Sequence, residues 1–262
     1  MKKTSLFISI LSLSACATSS VQQDLGTPPI AKKIPKELVS HGDTRIDDYY
    51  WLRDDERKNP EILDYLRKET TYADAQLEPI KPNIDSLYKE MTSKLAKDDS
   101  TVPALRNQHL YWKEFVEGKE YAIHYRKPKG ADSKSVILDE NLRAKGHKYY
   151  RAGRIEPSST GRYLAIAEDV LSRRIYTLRI KDLKSGEFLS DEISNVAPAA
   201  VWSADDKYIF YIRKEKGTLR EYQIWRHQIG APVSEDTLVY EEKDSEFYVW
   251  VWKTRSDDYV VI

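Results

Sequence analysis

Apolar positions change their period along the chain, and the change divides it into a helical and a β-rich part. From residue 60 to about residue 95, apolar residues recur every three to four positions, as on one face of an amphipathic helix. Asn59-Pro60 is a typical helix start, because Asn is a good N-cap and proline fits the first turn. Pro79 and Pro82 interrupt the pattern. The sequence therefore predicts a helical hairpin near residues 60–96. The apolar positions are Ile62, Leu63, Leu66, Ala73, Leu77, Ile84, Leu87, Tyr88, Met91 and Leu95.

After Val102 the pattern alternates with a period of two, which is typical of half-buried β-strands. The stretch "HLYWKEFVEGKEYAIHYR" predicts two strands around a turn at 117–119, and "SVILDE" predicts a third. Comparable units follow, and aligning Tyr111, Tyr163, Tyr208 and Tyr259 gives a repeat of about 45 to 52 residues. That period favours four-stranded propeller blades, with an unrelated β-sandwich as the alternative.

Composition supports a folded, β-rich protein without a strongly charged partner. Of 262 residues, 40% are apolar, which is enough for a core. The 18 Tyr and 6 Trp against only 10 Gly favour short aromatic strands. The 42 basic and 42 acidic residues cancel, and no block of like charge occurs, so nucleic acid is not an expected partner.

The first residues have the layout of a secretory signal, with lysines, a short apolar run and small residues before a cysteine. We predict a signal peptide at 1–15 and a flexible tether at 16–35. Leu13-Ser14-Ala15-Cys16 resembles the lipobox of bacterial lipoproteins, which implies lipidation of Cys16 and attachment to the membrane through a lipid anchor. The resemblance places the protein in the bacterial cell envelope, facing the periplasm, and Ala17 favours the outer membrane. The alternative is an ordinary signal peptide with an incidental cysteine.

Two acidic pairs, Asp47-Asp48 and Asp54-Asp55, lie on either side of an aromatic stretch in "RIDDYYWLRDD". Paired carboxylates suit acid-base catalysis and hard cations. Here, however, no histidine lies within the segment, and the carboxylates are adjacent, whereas metal loops space them by two. The sequence also has no GxGxxG, P-loop, HExxH or paired CxxC motif, so we expect no cofactor and no metal.

Several separated motifs carry a family resemblance. "DDYYWLRDD", "YTLRIKDLKSGE", "VWSADDKYIFY" and "QIWRHQIG" resemble the N-terminal half of the oligopeptidase B type of serine peptidase, in the prolyl oligopeptidase family S9A. The match is collinear from about Pro35 to Ile262. The resemblance implies a mainly β fold with an N-terminal helical hairpin, followed by a partial seven-bladed β-propeller of which about three blades are present. A C-terminal α/β-hydrolase domain, absent from this chain, is the implied partner.

The resemblance also assigns a role to the acidic and aromatic segment. It divides the chain into an N-terminal extension, 36–100, and an incomplete propeller, 101–262, and it implies that the extension docks on the hydrolase domain. Asp54 and Asp55 would cap the following turn or pair with Arg53 and Arg57. The predicted docking residues are Tyr49, Tyr50, Trp51, Leu52, Arg53, Asp54 and Asp55. In "EDVLSRRIY", Ser172 and Arg174 replace the Gly and Glu common in relatives.

The sequence contains no G-x-S-x-G elbow, so we assign no catalytic residue and expect the chain alone to be inactive. The histidines, including His227 in a predicted blade strand, are interpreted as surface or packing residues. The resemblance implies that the full-length form is a periplasmic endopeptidase that cleaves short peptides after basic residues, gated by the propeller. The alternative is a catalytically dead, stand-alone lipoprotein that acts as a binding or assembly module.

Overall fold

The computed structural model describes residues 26–262, so the signal peptide and Cys16 lie outside the described residues. The chain divides into two compact units, one ending at Thr92 and the other spanning Ser93–Ile262. Within the described range, no helix has the length and apolar character needed to cross a membrane.

The first unit contains a β-hairpin that the sequence patterns did not predict. Strand β1, Lys36–Ser40, pairs antiparallel with β2, Asp43–Asp47. The connecting turn is His41-Gly42, with φ of 53° and 81°. Two consecutive positive φ values define the tight turn whose twist suits a hairpin, and glycine is favoured there. The two-residue turn ending in glycine was the signal that could have revealed this hairpin.

The helical region of the first unit is confirmed, but its two helices do not form a hairpin. Helix α1, Pro60–Leu77, is followed by a 3-10 turn at Glu78–Ile80 and then by α2, Lys81–Ser93. The backbone stays in the right-handed helical region at Leu77, Glu78 and Lys81. The chain therefore continues in the helical sense and does not reverse, because Pro79 and Pro82 fall at positions where helical turns tolerate proline. The apolar residues expected between the helices are exposed, among them Leu87, Tyr88, Met91 and Leu95.

The second unit begins with a small antiparallel sheet. Its strands are β3, Asp99–Ser100; β4, Ala104–Arg106; β5, His109–Phe115; β6, Ile123–Pro128; and β7, Ser135–Asp139. The order is β3-β5-β6-β7, and β4 also pairs with β5. The predicted strands of "HLYWKEFVEGKEYAIHYR" and "SVILDE" are therefore confirmed. A short helix, α3, Glu140–Arg143, follows and is capped by Asp139.

A seven-stranded antiparallel sheet forms the centre of the second unit, and each strand pairs with its neighbours in sequence. A separate two-stranded ribbon of β15, Trp252–Lys253, and β16, Val260–Val261, follows. The seven strands are β8, Arg151–Pro157; β9, Tyr163–Asp169; β10, Tyr176–Asp182; β11, Phe188–Trp202; β12, Tyr208–Lys214; β13, Glu221–Gln228; and β14, Thr237–Glu241.

Strand β11 is long because two successive blades share it. Its first part pairs with β10, for example at Ile193 opposite Leu178, and its last part pairs with β12, at Trp202 opposite Ile209. We call β4–β7 the first blade, β8–β10 with the start of β11 the second blade, and the end of β11 with β12–β14 the third blade. These consecutive antiparallel blades confirm the predicted partial propeller.

The core of the second unit lies between the blades. Residues 164–167 of β9 are fully buried on both faces, because the sheets of neighbouring blades cover them. Gly153 in β8 is required by this close packing, since a Cβ there would lie 2.3 Å from the Tyr176 ring. Fully buried side chains elsewhere include Leu178, Ile180, Ile209, Tyr211, Ile212 and Ile224.

The loop after β9 contains Ser172 and Arg174, the two positions that differ from relatives. Ser172 and Arg174 adopt φ of 58° and 55°, the left-handed region that glycine occupies at least cost. The buried Asp169 carboxylate holds the loop by accepting hydrogen bonds from the backbone N–H groups of Leu171 and Arg174, both at 2.8 Å. The loop therefore keeps its shape although Ser172 replaces the glycine expected there.

Candidate functional site

The predicted docking segment of the first unit is a short, locally braced surface. Tyr50–Leu52 form a 3-10 turn. The Trp51 indole donates a hydrogen bond from Nε1 to the Lys32 carbonyl at 2.8 Å and meets the Tyr65 ring edge-on at 6.1 Å between centroids. The Lys36 ammonium lies 3.6 Å from the centre of the Tyr50 ring. Lys32 belongs to the predicted tether, so the end of that segment is fixed against the first unit.

The acidic pair in this segment braces the chain ahead of α1. Asp54 accepts hydrogen bonds from the backbone N–H groups of Lys58 and Asn59, at 2.6 and 2.7 Å, and these bonds lower the pKa of Asp54. Asp55 accepts from the Arg53 guanidinium at 3.1 Å. The two carboxylates are thus used locally, by a backbone turn and by an arginine, as the sequence interpretation anticipated.

The docking segment exposes part of its aromatic side chains to solvent. The Tyr49 side chain is 45% exposed, and Tyr50, Trp51 and Leu52 are only half-buried within their own unit. Among residues 26–262, no group of three or more His, Cys, Asp or Glu side chains is arranged to hold a metal. A half-exposed aromatic surface is suited to packing against another protein surface. Docking by these residues stays a prediction.

The second unit contains a cavity of about 540 Å³ where its inner strands converge. Each of the three blades and the ribbon contributes residues of one strand. These are Leu105 and Arg106 of β4, Arg154 and Glu156 of β8, Trp202 of β11 and Trp252 of β15. The turns that follow β8 and β15 complete the wall. This volume lies within the range of small-ligand sites.

The cavity wall carries an excess of positive charge. Four cations line it, Arg106, Arg154, Lys253 and Arg255, against only two carboxylates, those of Glu156 and Asp257. The nearly buried Glu156 is shared by two arginines, at 2.5 Å from Arg106 and 2.6 Å from Arg154. Burial alone would lower the pKa of Arg106, but the hydrogen bond to Glu156 raises it.

Three turns beside this cavity repeat one geometry. In each, a Ser or Thr hydroxyl accepts a hydrogen bond from the N–H of the tyrosine five residues later: Tyr163 to Ser158, Tyr208 to Ser203 and Tyr259 to Thr254, at 3.0, 3.0 and 3.2 Å. The fourth residue of each turn has a positive φ. The sequences "SSTGRY", "SADDKY" and "TRSDDY" carry this pattern, which explains the spacing of Tyr163, Tyr208 and Tyr259.

Asp206, the fourth residue of the turn after β11, links this turn to the corresponding turn of the second blade. Its carboxylate accepts from the Ser158 hydroxyl at 2.7 Å and from the backbone N–H groups of Ser159 and Thr160 at 2.8 and 3.1 Å. The Thr160 hydroxyl also donates to it. The turn that begins at Ser158 therefore binds a carboxylate.

His227 lies in β13, as predicted, but it does more than pack. Its imidazole is fully buried, with Nδ1 at 2.6 Å from Asp236 and Nε2 at 2.8 Å from Asp191. Burial alone lowers the pKa of His227, but the hydrogen bonds to both carboxylates outweigh it and raise the pKa. Burial likewise raises the pKa of Asp191, yet hydrogen bonds from His227 and the Gly230 N–H lower it overall.

Sequence reasoning missed the inner cavity, the Asp206 link and the ionic role of His227. The repeated Ser/Thr and Asp around each tyrosine were visible and could have indicated the turns. The pairing of His227 with Asp191 was not visible in the sequence, because Asp191 is 36 residues away in the preceding blade. Cys16 lies outside the described residues.

The repeated blades around an inner cavity define a β-propeller. Residues 28–262 match the sequence family described as the prolyl oligopeptidase N-terminal beta-propeller domain. The chain belongs to this family.

Similar proteins support that assignment along most or all of this chain. The chain is 38% identical to dipeptidyl aminopeptidase BI of Pseudoxanthomonas mexicana over its entire length, and 33% identical to protease 2 of Moraxella lacunata over 89% of its length. The structure of oligopeptidase B from Leishmania major matches 89% of the chain with a TM-score of 0.83 and 29% identity. The chain spans 39%, 35% and 35% of the lengths of these three proteins.

Proposed function

We propose that this chain is the non-catalytic N-terminal part of a serine peptidase, where the propeller gates access and the first unit docks on a hydrolase domain. The observation that carries the proposal is the 38% identity to an aminopeptidase along the whole chain. Hydrolysis would come from the serine nucleophile, histidine base and oxyanion hole of the hydrolase domain.

Two substrate preferences are consistent with the relatives. The likeness to oligopeptidase B supports cleavage of short peptides after basic residues. The 38% identity to dipeptidyl aminopeptidase BI favours a second candidate, a dipeptidyl aminopeptidase activity. A pair of fluorogenic substrates distinguishes these two activities in the full-length form. Both substrates carry the same residues before the reporter, and only one has a blocked N-terminus. Cleavage of both indicates an endopeptidase, whereas cleavage of only the free form indicates a dipeptidyl aminopeptidase.

The first prediction is that the 262-residue chain alone does not hydrolyse either substrate and does not react with a fluorophosphonate label. Activity should appear when the chain is mixed with a polypeptide carrying the part of dipeptidyl aminopeptidase BI that lies beyond the matched region. That polypeptide alone is the control. Label-sensitive turnover by the chain alone would show that it contains an unrecognised catalytic site.

The second prediction concerns Trp51, the centre of the docking segment. Trp51→Ala should raise the dissociation constant of the activating complex at least about tenfold. Truncating a tryptophan that is buried in an interface commonly weakens binding by more than this factor. Titrating the variant chain into a fixed amount of the catalytic polypeptide measures the effect. Tyr248→Ala, which removes a 73% exposed aromatic from the second unit, is the matched control. Equal effects of the two changes would contradict docking through Trp51.

We also propose that the protein is a lipoprotein of the bacterial cell envelope, facing the periplasm and attached through Cys16. The lipobox-like sequence before Cys16 supports this placement, and several acyl chains on one residue would anchor the protein firmly. The third prediction is that the wild-type chain, expressed with its own first fifteen residues in a bacterium, partitions into the detergent phase, whereas Cys16→Ser does not. Unchanged partitioning of Cys16→Ser would argue for an ordinary signal peptide.

The stand-alone binding module remains the second proposal for the chain as a whole. Its specific support is the ligand-sized cavity in the second unit. If a folded chain activates no catalytic polypeptide of this family, that result would favour the stand-alone module over the docking proposal.

A further inference from the structure

We propose that residues 229–236 form a proton-controlled strap between the second and third blades, which is closed while both ring nitrogens of His227 carry a proton and opens locally when one proton is released. The strap is the connection between β13 and β14. The inference goes beyond the proposed function and does not depend on it, because it concerns a buried side-chain cluster of the second unit. It rests on how the strap is attached and on the groups that surround the imidazole.

The strap belongs to the third blade and contacts residues of the second. Ile229 and Val233 lie on an apolar cluster that includes residues of β9, β10 and β11. The 3-10 turn Val233–Glu235 also contacts β11. Apart from these two apolar residues, Ala231 and Asp236, the side chains of the strap are exposed. Because so little apolar surface holds the strap, its polar contacts decide whether it stays closed.

Both ends of the strap are attached through the carboxylates beside His227. At its start, the Gly230 N–H donates to Asp191 Oδ1 at 2.6 Å, and Asp191 lies in the part of β11 that belongs to the second blade. At its end, Asp236 accepts from the Tyr211 hydroxyl at 2.8 Å. The imidazole lies between the two carboxylates, with Nε2 at 2.8 Å from Asp191 and Nδ1 at 2.6 Å from Asp236. The side chains of His227 and both aspartates are at most 2% exposed.

This geometry requires a charged imidazole. An ionised carboxylate only accepts hydrogen bonds, so a ring that faces two carboxylates donates from both nitrogens. The other titratable groups that face the cluster are Tyr211 and, behind it, Arg213, both from β12. Burial lowers the pKa of His227, but the hydrogen bonds to both carboxylates raise it overall, in agreement with a charged ring.

Release of one proton leaves one carboxylate without its donor. A neutral imidazole donates from a single nitrogen and presents a lone pair at the other. Asp191 cannot compensate, because its Oδ2 is buried and already has no hydrogen-bond partner among residues 26–262. A buried charge without a partner is unstable, and water reaches it when the strap moves away. Since each carboxylate holds one end of the strap, local opening follows whichever nitrogen keeps its proton.

Opening of the strap is linked to the release of one proton by His227. The pKa of His227 is raised while the strap is closed, and it returns towards about 6.5 when opening exposes the ring. The strap is therefore fully closed below about pH 6.5 and opens as the pH rises through the pKa of the closed form. Within that window the equilibrium constant for opening rises by up to about tenfold per pH unit.

Hydrogen exchange of the full chain, followed by mass spectrometry between about pH 5.5 and 9, tests the proposal. Protection factors, which compare the exchange rate with that of an unstructured chain, remove the pH dependence of exchange itself. Above about pH 6.5 the strap should lose protection by up to about tenfold per pH unit. Residues 164–167 of β9, which are fully buried, report unfolding of the whole second unit and should be better protected than the strap at every pH. Equal protection of the two regions, or protection of the strap that does not change with pH, would overturn the proposal.

Two variants separate the proton from the packing. In Asp236→Asn the amide oxygen accepts from Tyr211 and the amide N–H₂ donates to a neutral ring that still donates to Asp191, so the strap should stay protected with a weaker pH dependence than in the wild type. His227→Gln lacks the titrating ring and should give protection that does not change with pH. Asp132→Asn, at an exposed aspartate, is the matched control and should behave as the wild type. Circular dichroism verifies that each variant is folded. The wild-type pH dependence in either cluster variant, or its loss in Asp132→Asn, would overturn the role of His227.

Discussion

Trp202→Ala is expected to lower the free energy of unfolding of the second unit by about 3 to 5 kcal/mol, the usual cost of truncating a buried aromatic side chain. Trp202 is 2% exposed and lies where the second and third blades meet. Its indole stacks on Tyr163 at 5.9 Å between centroids and donates to the Glu156 carbonyl at 3.0 Å. Urea denaturation followed by circular dichroism measures the loss.

Two further variants separate the contributions of Trp202. Trp202→Phe keeps most of the apolar contact but leaves the buried Glu156 carbonyl without its donor, so a smaller loss of about 1 to 3 kcal/mol is expected. Trp250→Ala removes a tryptophan that is 49% exposed and should stay within about 0.5 kcal/mol of the wild type. Similar losses in Trp202→Ala and Trp250→Ala would show that the blade junction does not depend on Trp202.

The blades could be predicted from the sequence because strand period and turn chemistry are local. Alternation after Val102 reports which side of each strand is buried, and the tyrosine spacing reports the repeated turn. Asn59-Pro60 likewise marked the start of α1. These signals depend on neighbours within a few residues, so they survive without knowledge of the tertiary structure.

The continuous course of the two helices and the cavity could not be predicted in this way. Pro79 and Pro82 indicate a break, but proline is also accepted in the first turn of a helix, and the chain uses it so and continues in the helical sense. The cavity and the Asp206 link require the turns of successive blades to meet in space. Ser158 and Asp206 are 48 residues apart, and no local pattern pairs them.

Removing the buried imidazole between two carboxylates should have an effect as large as losing Trp202. His227→Leu leaves Asp191 and Asp236 buried without their shared cation, and breaking a buried pair by removing one partner commonly costs about 3 to 5 kcal/mol. Tyr211 donates to Asp236 at 2.8 Å, and Arg213 donates to the Tyr211 hydroxyl at 3.3 Å, so these two groups also face the cluster. Burial and the bond to Asp236 raise the pKa of Tyr211, which keeps the phenol neutral.

The pH dependence of the free energy of unfolding tests whether the charged state of His227 causes the loss of stability in His227→Leu. Because the pKa of His227 is raised in the folded state, its stabilisation is complete below the unfolded pKa of about 6.5 and is lost as the pH rises through the folded pKa. The lowered pKa of Asp191 acts at the other end: its contribution is present above about pH 3.9 and is lost as the pH falls. The cluster therefore stabilises the second unit most between about pH 4 and 6.5.

Measurements above pH 6.5 separate the effect of His227 from that of His109. His109 works in the opposite direction, since burial and Arg126 lower its pKa, and its effect is confined to pH values below about 6.5. The wild type should thus lose stability as the pH rises from 6.5, whereas His227→Leu should show no such decline. His147→Gln, at an exposed histidine, should keep the wild-type slope. A decline that persists in His227→Leu would mean that another group titrates there and that the two carboxylates do not hold an imidazolium.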